Sequence, residues 1–327
     1  MPSLLARFAE SAFWMARYME RAENLARILD VNETFAQQSR GVKDWLPIVQ
    51  LFSDAERFFE VHWEASADTV VHFYVLDRAN PTSIVASVRS ARENARGLRH
   101  LISTEMWSHL NVFSNRLQEL GPADLELSRL SELCRGLKED CQLHAGIVEG
   151  TFYRDQAWGF YQLGKLIERA DQTTRLLDIN HHRLLPLADD VTPQVDAGHW
   201  NAVLRSAAGY HAFRRVHPRG MQPSTVAGFL LFDAGFPRSV VVCVREVALL
   251  FKELVDRPEL RHVGVASTTL ATLERLCEQG DIDGVLDSGL HEFLDQLQRQ
   301  LIALTDELGT VFFGHRHERV SASQNQS

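Results

Sequence analysis

Phe13-Trp-Met-Ala-Arg17-Tyr-Met-Glu20-Arg21-Ala22-Glu-Asn24-Leu-Ala-Arg27-Ile-Leu29-Asp30 is written a second time 148 positions on. There it reads Tyr161-Gln-Leu-Gly-Lys165-Leu-Ile-Glu168-Arg169-Ala170-Asp-Gln172-Thr-Thr-Arg175-Leu-Leu177-Asp178. Each copy holds Glu-Arg-Ala, four further residues, Arg, an aliphatic pair and Asp. Around a helix, Met15, Met19, Ala22, Ala26 and Leu29 form an apolar stripe. The opposite stripe holds Phe13, Arg17, Glu20, Asn24 and Arg27, and in the second copy Tyr161, Lys165, Glu168, Gln172 and Arg175. The order is aromatic, base, acid, amide, base both times. Helices usually scatter their charges over solvent, so an ordered polar stripe repeated in two long helices predicts a polar seam. Spacings of three and four let Glu20 reach Arg17 and Asn24, and Glu168 reach Lys165 and Gln172, with Arg21 and Arg169 to the side.

The echo extends outward. Val70, Phe73, Asp77, Pro81, Ser83, Ile84, Val88 and Arg89 match Val226, Phe229, Asp233, Pro237, Ser239, Val240, Val244 and Arg245 at an offset of 156. Trp45 and Trp200, Phe58 and Phe213, and Val61-His62 and Val216-His217 pair at 155. Small loop insertions explain the drift. The expectation is an all-α chain built as an internally duplicated multi-helix bundle with two pseudo-symmetric halves, residues 1–154 and 155–313, each carrying one Glu-Arg motif. Helical periodicity over nearly the whole chain predicts helices at about 8–38, 44–62, 67–77, 81–102, 104–120, 124–152, 155–184, 197–216, 223–233, 237–256, 266–279 and 288–313. The proline- and aspartate-rich run 184–193 reads as a linker, and the polar tail 314–327 as disordered.

Composition bounds the function. The chain has 327 residues, 45% hydrophobic and 24% charged, with a formal charge of −9. That charge argues against nucleic acid as a partner. Apolar runs such as Val240-Val-Val-Cys-Val are far shorter than a membrane span, and acids and bases interrupt the N-terminus before any leader pattern forms. Cys134, Cys141, Cys243 and Cys277 form no CxxC pair. They read as small core residues in a reducing cytoplasm.

Several patterns imitate sites. Gly159-Phe-Tyr-Gln-Leu-Gly164-Lys165-Leu166 approaches a phosphate loop, but Leu166 stands where the magnesium-binding hydroxyl belongs and the segment is helical. His315-Arg-His317, His181-His182, Asp140 with His144, and Glu105 with His109 do not assemble a metal set, and none of them forms the Glu-x-x-His pair of di-iron bundles. No nucleophile elbow, zinc-protease or dinucleotide signature is present, so neither metal nor cofactor is expected and catalysis has no local signature. The candidate ligand or interface seam is therefore Arg17, Glu20, Arg21, Asn24, Arg27, Lys165, Glu168, Arg169, Gln172 and Arg175. Two chemistries fit it: an ion-pair network that sets how the halves dock, or a site whose arginines bind carboxylate or phosphate.

Phe13 to Arg27, Ser90-Ala-Arg-Glu-Asn-Ala-Arg96, Trp158 to Arg175 and Phe236-Pro-Arg-Ser-Val240, in that order, make the chain resemble the alpha-E family. These are bacterial all-helical proteins named for a Glu-Arg motif. The resemblance implies a setting beside a circularly permuted ATP-grasp protein, often with a transglutaminase-like and a proteasome-like peptidase. It implies a role in amide or peptide ligation as a helical accessory that binds the ligase or its peptide substrate. An enzyme acting on an amide or amino acid through the seam, and a purely structural scaffold, are the alternatives. Gln162 stands where the first copy has Trp14, so the two seams are not exact equivalents.

Overall fold

The computed structural model describes residues 4–38, 44–180, 193–256, 264–278 and 280–315. These are helical throughout, with no strand among them. In chain order the α-helices are α1 (Ala6–Gln38), α2 (Leu46–Leu51), α3 (Ala55–Val61), α4 (Ala67–Val75), α5 (Ile84–Gly97), α6 (Thr104–Glu119), α7 (Leu127–Thr151) and α8 (Gln156–Asp178). They continue as α9 (Pro193–Ser206), α10 (Tyr210–Val216), α11 (Pro223–Phe232), α12 (Val240–Val255), α13 (Gly264–Glu278), α14 (Ile282–Ser288) and α15 (Leu290–Phe312). A short 3₁₀ turn, Pro122–Leu125, precedes α7. The segment 181–192, with most of the expected linker, and the tail from 316 lie outside the described residues. Gly314 and His315, at the start of that tail, are described, and the His315 ring lies 2.9 Å from the Glu10 carboxylate.

The two motif helices form the centre. α1 packs on α8, α5 and α7, with α6 bridging α5 and α7; α8 packs on α1, α12 and α15, with α13 bridging those two. This placement explains why neither stripe of α1 reaches open solvent. Phe13 and Leu29 are as buried as Met15 and Met19. The α1–α8 approach is close because residue 164 is glycine: a Cβ there would run into the Phe13 carbonyl. The glycine that imitates a phosphate loop is a packing glycine.

Local structure repeats at the spacings seen in the sequence. Trp45 and Trp200 are both buried. Phe58 meets Phe73 edge-on at 5.1 Å and His62 at 4.8 Å, while Phe213 meets Phe229 at 5.4 Å and His217 at 4.8 Å. Ser83 caps α5 through the Ala86 amide and donates to the Asp77 carbonyl at 2.6 Å; Ser239 caps α12 through the Val242 amide and donates to the Asp233 carbonyl at 2.7 Å. Pro81 and Pro237 thus sit in the turns before these caps rather than inside the first helical turns.

Two expected helices, 44–62 and 197–216, are each broken. The breaks fall at Ser53 (φ 56°) and Ala208 (φ 57°), both left-handed. The next amide closes each turn: Asp54 donates to the Val49 carbonyl at 3.1 Å, and Gly209 to the Leu204 carbonyl at 2.7 Å. This is a helix-ending Schellman turn, usually marked by glycine at the left-handed position. Neither Ser53 nor Ala208 announces it. α14 has no counterpart among the expected helices.

Candidate functional site

Glu20 sits in the middle of α1 and Glu168 in the middle of α8, and each faces the other helix. Their ion pairs therefore cross between helices. Arg169 of α8 grips Glu20 with two hydrogen bonds, both 2.9 Å. Arg21 of α1 grips Glu168 at 2.7 and 3.1 Å, and Arg17 adds a third bond to Glu168 at 2.7 Å. The expected contact within a helix between Glu20 and Arg17 is thus replaced: Arg17 crosses to Glu168, and its far end donates to Thr305 at 3.2 Å. Arg21 and Arg169, expected at the side, are the central ligands. The reason is the tight α1–α8 crossing, which points both acids at the neighbouring helix instead of along their own.

The amides keep their expected role. Asn24 donates to Glu20 at 3.5 Å and Gln172 to Glu168 at 3.2 Å. Arg27 and Arg175 do not join the two glutamates. Each pairs one turn back on its own helix, Arg27 with Glu23 and Arg175 with Asp171, the latter at 2.8 Å. Lys165 is half-buried and, among the described residues, forms no ion pair with Glu168; burial, then the positive Arg169 beside it, lowers its pKa.

One ligand of the network escaped the seam read from the sequence. Arg238, in the turn between α11 and α12, donates to Glu20 at 2.7 Å, to Asn24 at 2.9 Å and to Glu23 at 3.1 Å. Thr173 of α8 holds its carbonyl at 3.1 Å. Its signal was present in Phe236-Pro-Arg-Ser-Val240, but helical spacing cannot connect a turn residue to a helix more than 200 positions away.

Electrostatics favours full ionisation. Burial would raise the Glu168 carboxyl, yet the guanidiniums of Arg21 and Arg17 outweigh it and hold the pKa at about 2. Burial is likewise outweighed at Glu20, by Arg169 and then Arg238, again to about 2. Carboxylates so placed are poor proton acceptors. Among the described residues, no three His, Cys, Asp or Glu side chains are grouped to hold a metal ion. No described helix is long and apolar enough to cross a membrane. The four cysteines are buried and free.

On the Glu168 side the seam opens to a cleft of about 330 Å³, lined by residues that include Arg17, Arg21, Thr82, Glu168, Asp171 and Arg175. On the Glu20 side Arg238 lies against Glu20, Glu23 and Asn24, and a neighbouring crevice lined by residues that include Asn24, Arg169, Thr173 and Arg238 holds about 10 Å³.

A helical chain with a Glu-Arg motif fits what the family comparison describes. A model for a predicted alpha-helical domain with a conserved ER motif matches residues 4–313. The chain belongs to the Alpha-E family. Glu20-Arg21 and Glu168-Arg169 are the Glu-Arg pairs of this Alpha-E chain that meet in its core. An uncharacterized protein of Mycobacterium bovis is 27% identical over 320 residues, covering 89% of this chain and 34% of its own length. Two uncharacterized proteins of Mycobacterium tuberculosis are 27% and 26% identical over the same span. The Alpha-E chain spans about a third of the length of these relatives. No solved structure matches it.

Proposed function

We propose that this Alpha-E protein is a helical accessory of a circularly permuted ATP-grasp amide or peptide ligase, working in the cytoplasm and binding the ligase or its peptide substrate. The observation that carries the binding role over a catalytic one is the state of the two central glutamates. Held at about 2 by paired arginines, they are suited to ion pairing and poorly suited to proton transfer. The family resemblance supports the ligase setting, with the transglutaminase-like and proteasome-like peptidases as further partners. The mycobacterial relatives support a modular role, because the matching region is joined there to about twice as much further sequence. The matched caps, aromatic trios and left-handed turns support a second part of the proposal: residues 1–154 and 155–313 are copies of one unit.

Tagged protein drawn from a native lysate is expected to bring the ATP-grasp protein with it, and ligation is expected only when both are present. Recovery of the chain alone, with full ligation in its absence, would overturn the partner role. A direct amide enzyme remains the second reading, favoured by the opening of the seam into a cleft. Turnover of an amide by the purified chain alone would establish it.

A further inference from the structure

Arg238 shows what the α1 side of the seam is built to hold. Its guanidinium rests on acceptors at positions i, i+3 and i+4 of one helix: Glu20, Glu23 and Asn24. α8 presents the same set one for one, as Glu168, Asp171 and Gln172. The turn opposite it is also the same, a proline followed by a capping serine, Pro81 to Ser83 against Pro237 to Ser239. Between them, however, stands Thr82 where the other turn has Arg238, and the guanidinium is missing.

The acceptors it would serve remain. Asp171 is 8% exposed and Gln172 is 7% exposed. Asp171 Oδ1 and Gln172 Oε1 are shut off from solvent and find no hydrogen-bond partner among the described residues, whereas Arg238 donates to Asn24 Oδ1 and to Glu23 Oε1, the oxygen that Arg27 also holds. A buried acceptor left without a donor is costly, and a fitting donor recovers that cost. Both residues line the 330 Å³ cleft, with Thr82 on the cleft wall and Asp306 adding a third carboxylate beside Glu168 and Asp171. Arg17, Arg21 and Arg175 already balance these three acids. One more cation leaves a local excess no larger than on the α1 side, where Arg27, Lys165, Arg169 and Arg238 surround Glu20 and Glu23.

We infer that the cleft beside Glu168 is a binding seat for a guanidinium group supplied by another molecule, which takes the place that Arg238 fills on the other side. The planar fork of a guanidinium spans two acceptors on adjacent helical turns, as Arg238 does; an ammonium offers no such plane. The inference rests on the seam being a binding site, but not on the identity of the ligase partner. Co-purification can succeed while the seat stays empty, and the seat can bind while co-purification fails.

The test is calorimetric titration of the full-length chain, at constant ionic strength, with agmatine, free arginine and Nα-acetyl-arginine amide, against Nα-acetyl-lysine amide and phosphate. Saturable binding of the guanidinium compounds is expected, at least tenfold tighter than the lysine compound. Preference for the blocked amide places the guanidinium on a peptide chain, and preference for free arginine or agmatine places it on a small molecule; either supports the seat. Thr82→Arg supplies the guanidinium from within and should abolish binding while the thermal midpoint holds or rises. Asp171→Asn should weaken binding about tenfold. Three results would overturn the inference: no saturation by any guanidinium compound, equal binding by Thr82→Arg and the wild-type chain, or saturation by phosphate alone.

Discussion

Glu168 is 0% exposed, yet it stays charged because two arginines from a different helix reach it. A buried acid with its partners removed is costly, and one replaced along with them is not. Glu168→Gln should therefore lower stability by about 3–5 kcal/mol, read as a fall in the urea midpoint. Adding Arg21→Met should recover only part of the loss, because Arg17 is still buried without its acid; adding Arg17→Met as well should recover more. A loss under about 1 kcal/mol in the single variant would mean that the seam is solvated. A second residue-scale effect lies outside the seam. Burial holds the His144 imidazole down to about 3, and it stacks 5.9 Å from His109. Unfolded, it takes a proton below about pH 6.5. Stability is then fully present above that pH and falls as the pH drops from 6.5 toward 3. The glutamates follow with the same sign between 4.5 and about 2. Between pH 7 and pH 5 the His144 contribution is about 2 kcal/mol. His144→Phe should flatten that part of the profile; an unchanged slope would exclude His144 as its source.

At the scale of helices, the α1–α8 crossing decides the geometry of everything around it. Gly164→Ala puts a methyl group against the Phe13 carbonyl, and backbone cannot swing aside as a side chain does. A loss of about 1–3 kcal/mol is expected, with weaker Glu-Arg pairing as the helices part. Neutral behaviour in thermal unfolding would show that the crossing has slack. The left-handed turn at Ala208 predicts the opposite sign. Alanine is strained at φ 57°, so Ala208→Gly should raise stability by up to about 1 kcal/mol. A loss there would show that the unfolded-chain entropy of glycine outweighs the relief.

Taken as one molecule, the protein is held together by exchange: the residues that neutralise Glu20 lie beyond position 154, and those that neutralise Glu168 lie before it. Residues 1–154 expressed alone keep Glu20 without Arg169 and Arg238, and expose the face of α1 that α8 covers. They should fail to form a cooperative monomer by circular dichroism and size exclusion, and mixing with residues 155–327 should restore structure. A stable, cooperatively unfolding monomer of the first part would show that the exchange is dispensable.

Much of this was legible in the sequence for a definite reason. Helical class follows from periodicity, which depends on nothing beyond about one turn, and the Glu-Arg seam was visible because its positions recur at fixed offsets. The capping serines Ser83 and Ser239 lie just beyond the expected starts. What the chain alone could not convey was direction. A helical wheel orders Arg17, Glu20 and Asn24 on one stripe, but it cannot say which acid an arginine meets across the seam, so spacing pairs Arg17 with Glu20 when it crosses to Glu168. The breaks at Ser53 and Ala208 lacked the usual glycine. Arg238 and Thr82 differ by one side chain in matching turns, and only tertiary packing, which brings one turn against Glu20 and the other against Glu168, turns that difference into a filled seat and an open cleft.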